Sequence, residues 1–401
     1  MDLQKQSPER EERAADFSGD TSPSSRAMRE KNIRRFRVEK RLLPQVQVEK
    51  KSAVLLAVRG LKGVGKAFLL ILLALLLAVL FLLGACYVVF RGPSPAARDL
   101  LLVSAMETSA AKFIPRLFFS QEEIDEIIQK NSVLPTYEVT ETPSSSVSPE
   151  GEEEEMESTP VDLSAVELVE VSGTTYKGKM LIVQDPSRVY VATPEAFHLS
   201  TGGMRVEEMC RRDGALAGIN GGGFMDENGV GDGGSPIGLV ISGGVMMNGY
   251  PSLVSEVIGF DRDNRLVVGN MSAQEALDRG IRDAVNFGPI LVVNGEPAQV
   301  SGSGGGLNPR TAIGQREDGA VLLLVIDGRQ SHSLGASYKD LIEIMLEFGA
   351  VNAANLDGGS SSLMVYEDEI ITTCASLYGS RKIPTAFLVR GAPENTEQAP
   401  Q

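Results

Sequence analysis

Apolar and polar positions divide this 401-residue chain into two parts of different texture. The run AFLLILLALLLAVLFLLGACYVVF, residues 67–90, contains no charged residue. As a helix its 24 residues would be about 36 Å long, enough to cross a hydrocarbon core of ~30 Å. The pattern predicts one transmembrane helix over 67–90. A cleaved signal peptide is an alternative, but the run is too long and begins too late. The letters LLGAC, ending at Cys86, also resemble a lipoprotein cleavage box.

Beyond residue 161, short apolar runs alternate with glycine-rich turns up to about residue 390, which is typical of strands joined by hairpins. The runs include KMLIVQD, RVYVAT, LAGING, IGLVIS, EVIGFD, RLVVGN, ILVVNG, TAIGQ, AVLLLVIDG, SLMVY and TAFLVRG. Asp318 and Gly319 provide a hairpin turn between two of them. Many strands and few helices predict an α+β fold, a mixed or antiparallel β-rich domain preceded by the transmembrane helix.

Two stretches of this region have helical periodicity. GMRVEEMCRRDG would end at Gly214, a residue suited to a left-handed cap. SYKDLIEIMLEFGA would end at Gly349 and bury one apolar face, formed by Leu341, Ile342, Met345, Leu346 and Phe348.

Composition shifts mark the remaining boundaries. Helical periodicity after the apolar run, interrupted by Pro115 and restarted by a cap at Ser120, predicts a juxtamembrane stalk. A Pro, Ser and Glu-rich stretch then predicts a solvated linker. The predicted organisation is a disordered basic cytoplasmic tail (1–66), the transmembrane helix (67–90), the stalk (91–139), the acidic linker (140–160), the main domain (161–392) and a disordered tail (393–401).

Charge is distributed unevenly along the chain. Residues 1–66 hold 16 Lys and Arg against 9 Asp and Glu, a net charge of +7. The whole chain has a net charge of −15, so the remaining residues carry −22. The positive-inside rule therefore predicts a cytoplasmic N-terminus and an extracytoplasmic main domain. The acidic main domain argues against nucleic acid as a partner. Cys210 and Cys374 would face an oxidising exterior, where they either pair or remain free thiols.

Four polar clusters follow apolar runs of the main domain. In INGGGFMDENGVGDGG, Asn220 ends a strand and glycines allow close backbone approach to a ligand. Asp226, Asn228 and Asp232 have a calcium-like spacing, but Ile237 stands where an EF-hand requires Glu. A flexible hairpin loop explains the same letters, so calcium is only a weak possibility and no cofactor is predicted.

The second cluster, GGGLNPRTAIG, places Asn308, Arg310 and Thr311 at a rigid strand entrance, which suits a phosphate or carboxylate. A surface arginine in a turn explains the same residues, and this motif taken alone favours that interpretation.

The third and fourth clusters also stand at strand ends. LLLVIDGRQSH has Asp327 closing an apolar strand and Arg329 two residues later. An Asp-Gly turn with a surface salt bridge explains that cluster equally well. VNAANLDGGSSSLMVY adds Asn355 and Asp357 together with Ser360 and Ser361.

The chain contains two histidines, which leaves little material for a Ser-His-Asp hydrolase or a histidine-rich zinc site. It has no phosphate-loop, dinucleotide-binding or zincin motif. Chemistry must therefore use carboxylates, amides, hydroxyls and guanidinium groups. These groups suit glycosidic cleavage of an anionic substrate, in which arginines stabilise a phosphate leaving group.

Five motifs, AGINGGGF, NFGPILVVNGE, NPRTAIG, LLLVIDGR and SLGASYKDLIEIMLEFGAVNAANLDGGSSSLMV, occur in the order found in the phosphodiester glycosidase family. Over residues 165–390 the chain resembles that family, which is similar to the catalytic domain of an animal N-acetylglucosamine-1-phosphodiester α-N-acetylglucosaminidase. Its bacterial members are often labelled exopolysaccharide biosynthesis proteins. The stalk and membrane helix lie outside the resemblance and look like those of Gram-positive members.

The resemblance implies hydrolysis of a sugar-1-phosphodiester to a free sugar and a phosphomonoester. Within the matching motifs it implies catalytic roles for Asp357 and Asp327. It implies substrate binding by Asn220, Asn308, Arg310, Thr311, Arg329, Ser360 and Ser361. Ser360 stands where many relatives have a third glycine, so the serine position is uncertain by one residue.

The expected function is that of a membrane-anchored, extracytoplasmic glycosidase acting on phosphodiesters of cell-envelope or extracellular polysaccharide. The glycan phosphodiester and the membrane are its expected partners. One alternative is a non-catalytic protein that binds polysaccharide or acts as a scaffold in envelope biosynthesis. A second is a metal-dependent phosphodiesterase that cleaves P–O instead of C–O.

Overall fold

A computed structural model describes residues 64–136, 138–141, 162–197, 202–226, 231–376 and 378–392. Almost all of the predicted cytoplasmic tail, most of the predicted acidic linker and the tail 393–401 lie outside these residues. The chain divides into two units, Met1–Gly84 and Ala85–Gln401.

Helix α1 covers Val64–Arg91 and contains the predicted span. Its 28 residues have a mean hydropathy of 3.2 in the most apolar window, so the helix is long and apolar enough to cross a membrane. Almost all apolar side chains in the part of α1 that belongs to the first unit are exposed, which suits a lipid environment.

The described residues hold six further α-helices and seventeen strands. The helices are α2 (Pro95–Met106), α3 (Phe113–Arg116), α4 (Gln121–Lys130), α5 (Val206–Asp213), α6 (Ala273–Asp278) and α7 (Tyr338–Glu347). The strands are β1 (Val166–Ser172), β2 (Lys177–Val183), β3 (Val189–Ala192), β4 (Ala215–Asn220), β5 (Val240–Ser242), β6 (Val245–Asn248), β7 (Val254–Asp261), β8 (Leu266–Ser272), β9 (Ile281–Asn286), β10 (Ile290–Val293), β11 (Glu296–Pro297), β12 (Arg310–Arg316), β13 (Val321–Ile326), β14 (Ala350–Leu356), β15 (Met364–Tyr366), β16 (Glu369–Ile370) and β17 (Ala386–Arg390).

These strands form three antiparallel sheets in the described part of the chain. The largest has the order β1-β2-β13-β12-β14-β10-β11. The other two have the orders β16-β15-β4-β17-β3 and β6-β5-β9-β7-β8. The predicted α+β class is confirmed.

Strand β13 shows why the largest sheet is apolar on both faces. Val321, Leu323 and Val325 belong to the central core that the three sheets share. Leu322, Leu324 and Ile326 alternate with them and pack into a second cluster under α7. A continuous apolar run therefore forms an antiparallel strand here, because α7 covers the face that would otherwise meet water.

The two predicted helices form, with one error in the predicted apolar face. Gly214 ends α5 with φ 63°, as expected for a left-handed cap. Helix α7 begins with a Ser337–Asp340 capping box. Leu346 was expected inside but is 38% exposed, and Phe348 is only partly buried. Ile344 fills the face instead.

The predicted stalk, residues 91–139, contacts the strand-rich part of its unit. Helices α2, α3 and α4 share a cluster with Phe90. The helical path is interrupted between α2 and α3 and again between α3 and α4, and Pro115 lies inside α3. Gly306 approaches α2 so closely that an added Cβ would lie 2.4 Å from the Ser104 amide nitrogen. Asn131 holds the same glycine-rich loop by accepting from the Ser303 amide, at 2.9 Å.

Candidate active site

Strand register gathers three of the four polar clusters at one end of the largest sheet. In the antiparallel pairs, Arg310 at the start of β12 lies opposite Ile326 at the end of β13. Thr311 lies opposite Leu356 at the end of β14. The loops after β13 and β14 and the loop before β12 therefore meet.

The remaining cluster, in the loop that follows Asn220 and β4, is joined to them by a backbone hydrogen bond. The amide of Asp357 donates to the carbonyl of Gly221, at 3.0 Å, and the amide of Gly359 donates to Pro309, at 2.9 Å. The loop after β4 is thereby held against the loop after β14.

These loops enclose a cavity of about 240 Å³. Its wall is rich in charged and amide side chains, with three aromatic rings. The lining residues are Glu107, Ser109, Phe224, Asp226, Phe287, Asn308, Arg310, Arg329, Tyr338, Asn355, Asp357, Gly358, Gly359, Ser360, Ser361 and Arg381.

Asp357 is the carboxyl group of the cavity that has no arginine or lysine salt-bridge partner among the described residues. Burial raises its pKa from 3.8 to about 6, against the opposing effects of the Ser361 hydroxyl, the Arg381 charge and the Gly358 amide. The carboxyl group is therefore partly protonated near neutral pH, a property suited to proton transfer.

Arg310, predicted to bind the substrate anion, is 4% exposed and already has a counter-charge. Its Nη2 lies 2.7 Å from Oε2 of Glu107, at the end of α2. The guanidinium also donates to the carbonyls of Ala336 and Gly306 and stacks 3.9 Å from the ring centroid of Tyr338. Arg310 is therefore rigidly held at the cavity wall.

Arg329 differs from Arg310 because no carboxylate pairs with it in the described residues. Its Nη2 donates to Oδ1 of Asn308, at 2.9 Å. Its backbone has φ 59°, in the left-handed region that side-chain-bearing residues rarely adopt. Gly359 lies beside it, and an added Cβ there would be 3.3 Å from Nη2 of Arg329. Arg329 is the guanidinium best placed to receive an anion.

Arg381 is a third guanidinium at the cavity, and the sequence interpretation did not include it. It pairs with Asp226 at 2.7 Å, donates to Oγ of Ser360 at 3.3 Å and stacks 4.8 Å from the Phe224 ring centroid. Burial alone would raise the pKa of Asp226, but hydrogen bonds from Arg381 and Gly231 keep that pKa below its ordinary value.

The weak calcium possibility involved Asp226, Asn228 and Asp232. Asp226 is committed to Arg381, Asp232 accepts from the Gly234 amide at 3.0 Å, and Asn228 lies outside the described residues. Among the described residues, no group of three or more His, Cys, Asp or Glu side chains is placed to hold a metal ion.

Asn220 and Thr311, predicted to bind substrate, lie beneath the cavity and are fully buried. Nδ2 of Asn220 donates to the carbonyl of Asp357, at 2.5 Å. Its Oδ1 accepts from Oγ1 of Thr311 at 2.7 Å and from the Leu363 amide at 3.1 Å. The structure therefore places these two side chains where they fix the loop that carries Asp357.

Asp327, the second predicted catalytic carboxylate, does not line the cavity. It accepts from the Thr373 amide at 2.8 Å and lies 3.0 Å from Nε2 of His332. The loop after β13 sends Arg329 toward the cavity, whereas the Asp327 carboxylate contacts the 373 region.

The other predicted residues, Asn308, Ser360 and Ser361, do line the cavity. Sequence reasoning missed Glu107, Arg381, Tyr338, Phe224 and Phe287. Phe287 belongs to the motif NFGPILVVNGE, and Phe224 belongs to AGINGGGF. Their membership of these motifs could have identified both rings as candidate site residues. Glu107 and Arg381 stand in stretches without a comparable pattern.

Cys210 and Cys374 are both free thiols, so the predicted alternative of a disulfide is wrong. Both side chains contribute to one apolar cluster, in which Cys210 is buried and Cys374 partly buried. Burial raises the pKa of Cys210 to about 12, which makes it an unreactive thiol.

Residues 213–390 match the family model described as phosphodiester glycosidase. The SPbeta prophage-derived uncharacterized protein YomE of Bacillus subtilis is 31% identical over 198 residues, covering 47% of this chain and 29% of that protein. The N-acetylglucosamine-1-phosphodiester α-N-acetylglucosaminidase of Bos taurus is 32% identical over 178 residues, covering 40% of this chain and 33% of that enzyme. This chain thus spans about a third of the length of these curated relatives.

A solved structure of the zebrafish N-acetylglucosamine-1-phosphodiester α-N-acetylglucosaminidase catalytic domain, auto-inhibited by its pro-peptide, has a TM-score of 0.47 and 20% identity to this chain. The structural match covers 57% of this chain and 83% of the zebrafish chain. The resemblance inferred from the five motifs is confirmed by the family match and the curated relatives.

Proposed function

We propose that this chain hydrolyses the glycosidic bond of sugar-1-phosphodiesters, because residues 213–390 match the phosphodiester glycosidase family model. One observation carries the proposal. Within the described residues, the cavity holds a carboxyl group without an arginine partner, Asp357, and a guanidinium group without a carboxylate partner, Arg329. A base and an anion site in one cavity are what this reaction needs.

In the proposed reaction, water attacks the anomeric carbon. A bond forms between the water oxygen and that carbon, and the bond from the carbon to the phosphate oxygen breaks with its electron pair on the phosphate. The ionised carboxylate of Asp357 accepts the proton of the attacking water. The products are a free sugar and a phosphomonoester. Arg329 stabilises the charge that develops on the leaving phosphate.

The remaining side chains have supporting roles in this proposal. Asn308 orients Arg329 through the hydrogen bond to its Nη2. Asn220 fixes the backbone of Asp357. Phe224 and Phe287 provide apolar surface for the C–H face of a sugar ring. The phosphate leaving group needs little protonation, which agrees with a single unpaired carboxyl group.

We further propose that α1 anchors the chain in a membrane, with the basic N-terminal residues in the cytoplasm and the glycosidase domain outside. A glycosidase held at that surface would act on phosphodiesters of cell-envelope or extracellular polysaccharide. The length and hydropathy of α1 and the charge asymmetry of the sequence support this location.

The test uses the full chain in detergent, because Glu107 at the cavity precedes the predicted domain boundary. The probe is the methyl phosphodiester of α-N-acetylglucosamine-1-phosphate, chosen because the relative from Bos taurus is an N-acetylglucosamine-1-phosphodiester α-N-acetylglucosaminidase. Asp357→Asn should lower kcat by about 10²–10⁴. Asp327→Asn is the matched control and should retain most activity, because its carboxylate lies outside the cavity.

Equal turnover by wild type and Asp357→Asn would exclude Asp357 from the chemistry. Binding of the diester without turnover would favour the alternative of a non-catalytic polysaccharide-binding protein.

A further inference from the structure

Glu107 is a cavity residue that lies outside the matched segment 213–390. It follows α2 directly and its side chain is 26% exposed. Its Oε2 accepts from Nη2 of Arg310 at 2.7 Å and from Nδ2 of Asn308 at 2.6 Å. Its Oε1 accepts from the Gly306 amide at 3.3 Å. Three donors therefore hold an ionised carboxylate at the cavity wall.

One amide side chain connects this carboxylate to the anion site. Asn308 donates to Glu107 through Nδ2 and accepts from Arg329 through Oδ1. Glu107, Arg310 and Arg329 thus form a connected group with two positive charges and one negative charge. The other pair at the cavity, Asp226 and Arg381, is neutral as a pair.

The net charge of the connected group is therefore +1, and the Asp357 carboxylate, when ionised, adds one negative charge to the same cavity. This charge distribution has a consequence for the proposed reaction. A phosphodiester carries one negative charge, whereas the phosphomonoester product carries close to two at neutral pH. The first negative charge of a ligand is balanced by Arg329. A second would approach the Glu107 carboxylate, in surroundings less polar than water, where charge interactions are stronger.

We propose that Glu107 is a specificity-determining residue that makes the cavity select phosphodiester monoanions over phosphomonoester dianions. The inference rests on the proposed function and extends it to the charge of the ligand. It also means that the product is released readily. The selecting carboxylate comes from the segment next to α1, since α2 begins at Pro95 and α1 ends at Arg91.

The experiment compares binding of two small probes to the full chain in detergent at pH 8. Dimethyl phosphate is a monoanion at this pH and methyl phosphate is mostly a dianion. Titration followed by phosphorus NMR gives a Kd for each, without any need for turnover. Wild type should bind dimethyl phosphate at least as tightly as methyl phosphate. Glu107→Gln should reverse the preference by about tenfold or more.

Two further variants separate charge from structure. Glu107→Asp keeps the negative charge and should retain the wild-type preference. Glu126→Gln makes the same charge change on α4, where Glu126 is 63% exposed and pairs with Lys130. This control should leave both Kd values unchanged. Circular dichroism of each variant verifies its fold.

The outcomes are decisive in either direction. A wild-type protein that prefers methyl phosphate, or that binds neither probe, overturns the inference even if Glu107→Gln fails to fold. An equal gain in affinity for both probes in Glu107→Gln also overturns the inference, because Glu107 would then weaken the binding of monoanions and dianions alike. Selective probe binding without hydrolysis of any diester would leave the inference standing and reject the proposed function.

Discussion

Replacing Asp357 by asparagine should stabilise the protein at alkaline pH while removing its activity. Burial raises the pKa of this carboxyl group from 3.8 to about 6 in the folded protein. At about 1.4 kcal/mol for each pH unit, the difference corresponds to about 3 kcal/mol. The folded protein bears this cost when the carboxyl group is ionised, and an asparagine does not.

The direction of this pH dependence follows from the linkage between proton binding and folding. The pKa of Asp357 is higher in the folded than in the unfolded chain, so its contribution to stability is fully present below about pH 4. That contribution is lost as the pH rises through about 6. Asp357→Asn should therefore be more stable than wild type by about 2–3 kcal/mol at pH 8, and equally stable near pH 4.

The assay is urea unfolding of the full chain in detergent, followed by circular dichroism because the chain has no tryptophan. Asp327→Asn is the matched control. Asp327 accepts from the Thr373 amide and contacts His332, so its replacement should lose about 0.5–1.5 kcal/mol. A gain for Asp357→Asn of the same size at pH 4 and pH 8, or no gain at all, would refute the charge argument.

Three further predictions concern the groups around Asp357. Arg329→Gln should raise KM for the phosphodiester more than tenfold with a smaller change in Tm, measured by steady-state kinetics and calorimetry, and an unchanged KM would show that the anion binds elsewhere. Arg381→Gln should move the pH–rate limb of Asp357 to higher pH, because the Arg381 charge lowers that pKa; a limb that stays in place would count against proton transfer by Asp357. Asn220→Ala should lower the free energy of unfolding by about 1–3 kcal/mol and Thr311→Val by less, measured by denaturant titration, because both residues are fully buried and hydrogen-bonded. A loss below about 0.5 kcal/mol in both variants, which is the scale of surface substitutions, would contradict the supporting role.

The sequence predicted much of the fold because the strands of this protein are locally apolar. All eleven quoted runs overlap observed strands, and the Asp318–Gly319 turn joins β12 and β13 with φ 91° at Gly319. Helix α6 was missed because six residues are too few for a periodic pattern, although Ser272 and Glu275 form its capping box. The edge strand β1 was missed because its alternating residues include glutamates.

The candidate site was predicted in part for the same reason. Loops at strand ends are visible in the sequence, and register brings them together. Which side chains enter the cavity depends on contacts made elsewhere in the chain. The Asp327 carboxylate accepts from the Thr373 amide and so lies away from the cavity. The Asn220 side chain accepts from the buried Thr311 hydroxyl and so lies beneath the cavity.

Glu107 shows where sequence reasoning ends. It lies 203 positions from Arg310, in a stretch that reads as an ordinary amphipathic helix. Only the packing of α2 against the loop around Gly306 brings the carboxylate to the cavity. A stalk and a docked helix have the same local pattern, and long-range contacts distinguish them.

The position of bond cleavage tests the central claim most directly. The full chain is incubated with the methyl phosphodiester of α-N-acetylglucosamine-1-phosphate in ¹⁸O-labelled water, and both products are analysed by mass spectrometry. Attack at the anomeric carbon predicts that the label enters the sugar and is absent from methyl phosphate. Label in the phosphate would show P–O cleavage and would contradict the roles given to Asp357 and Arg329.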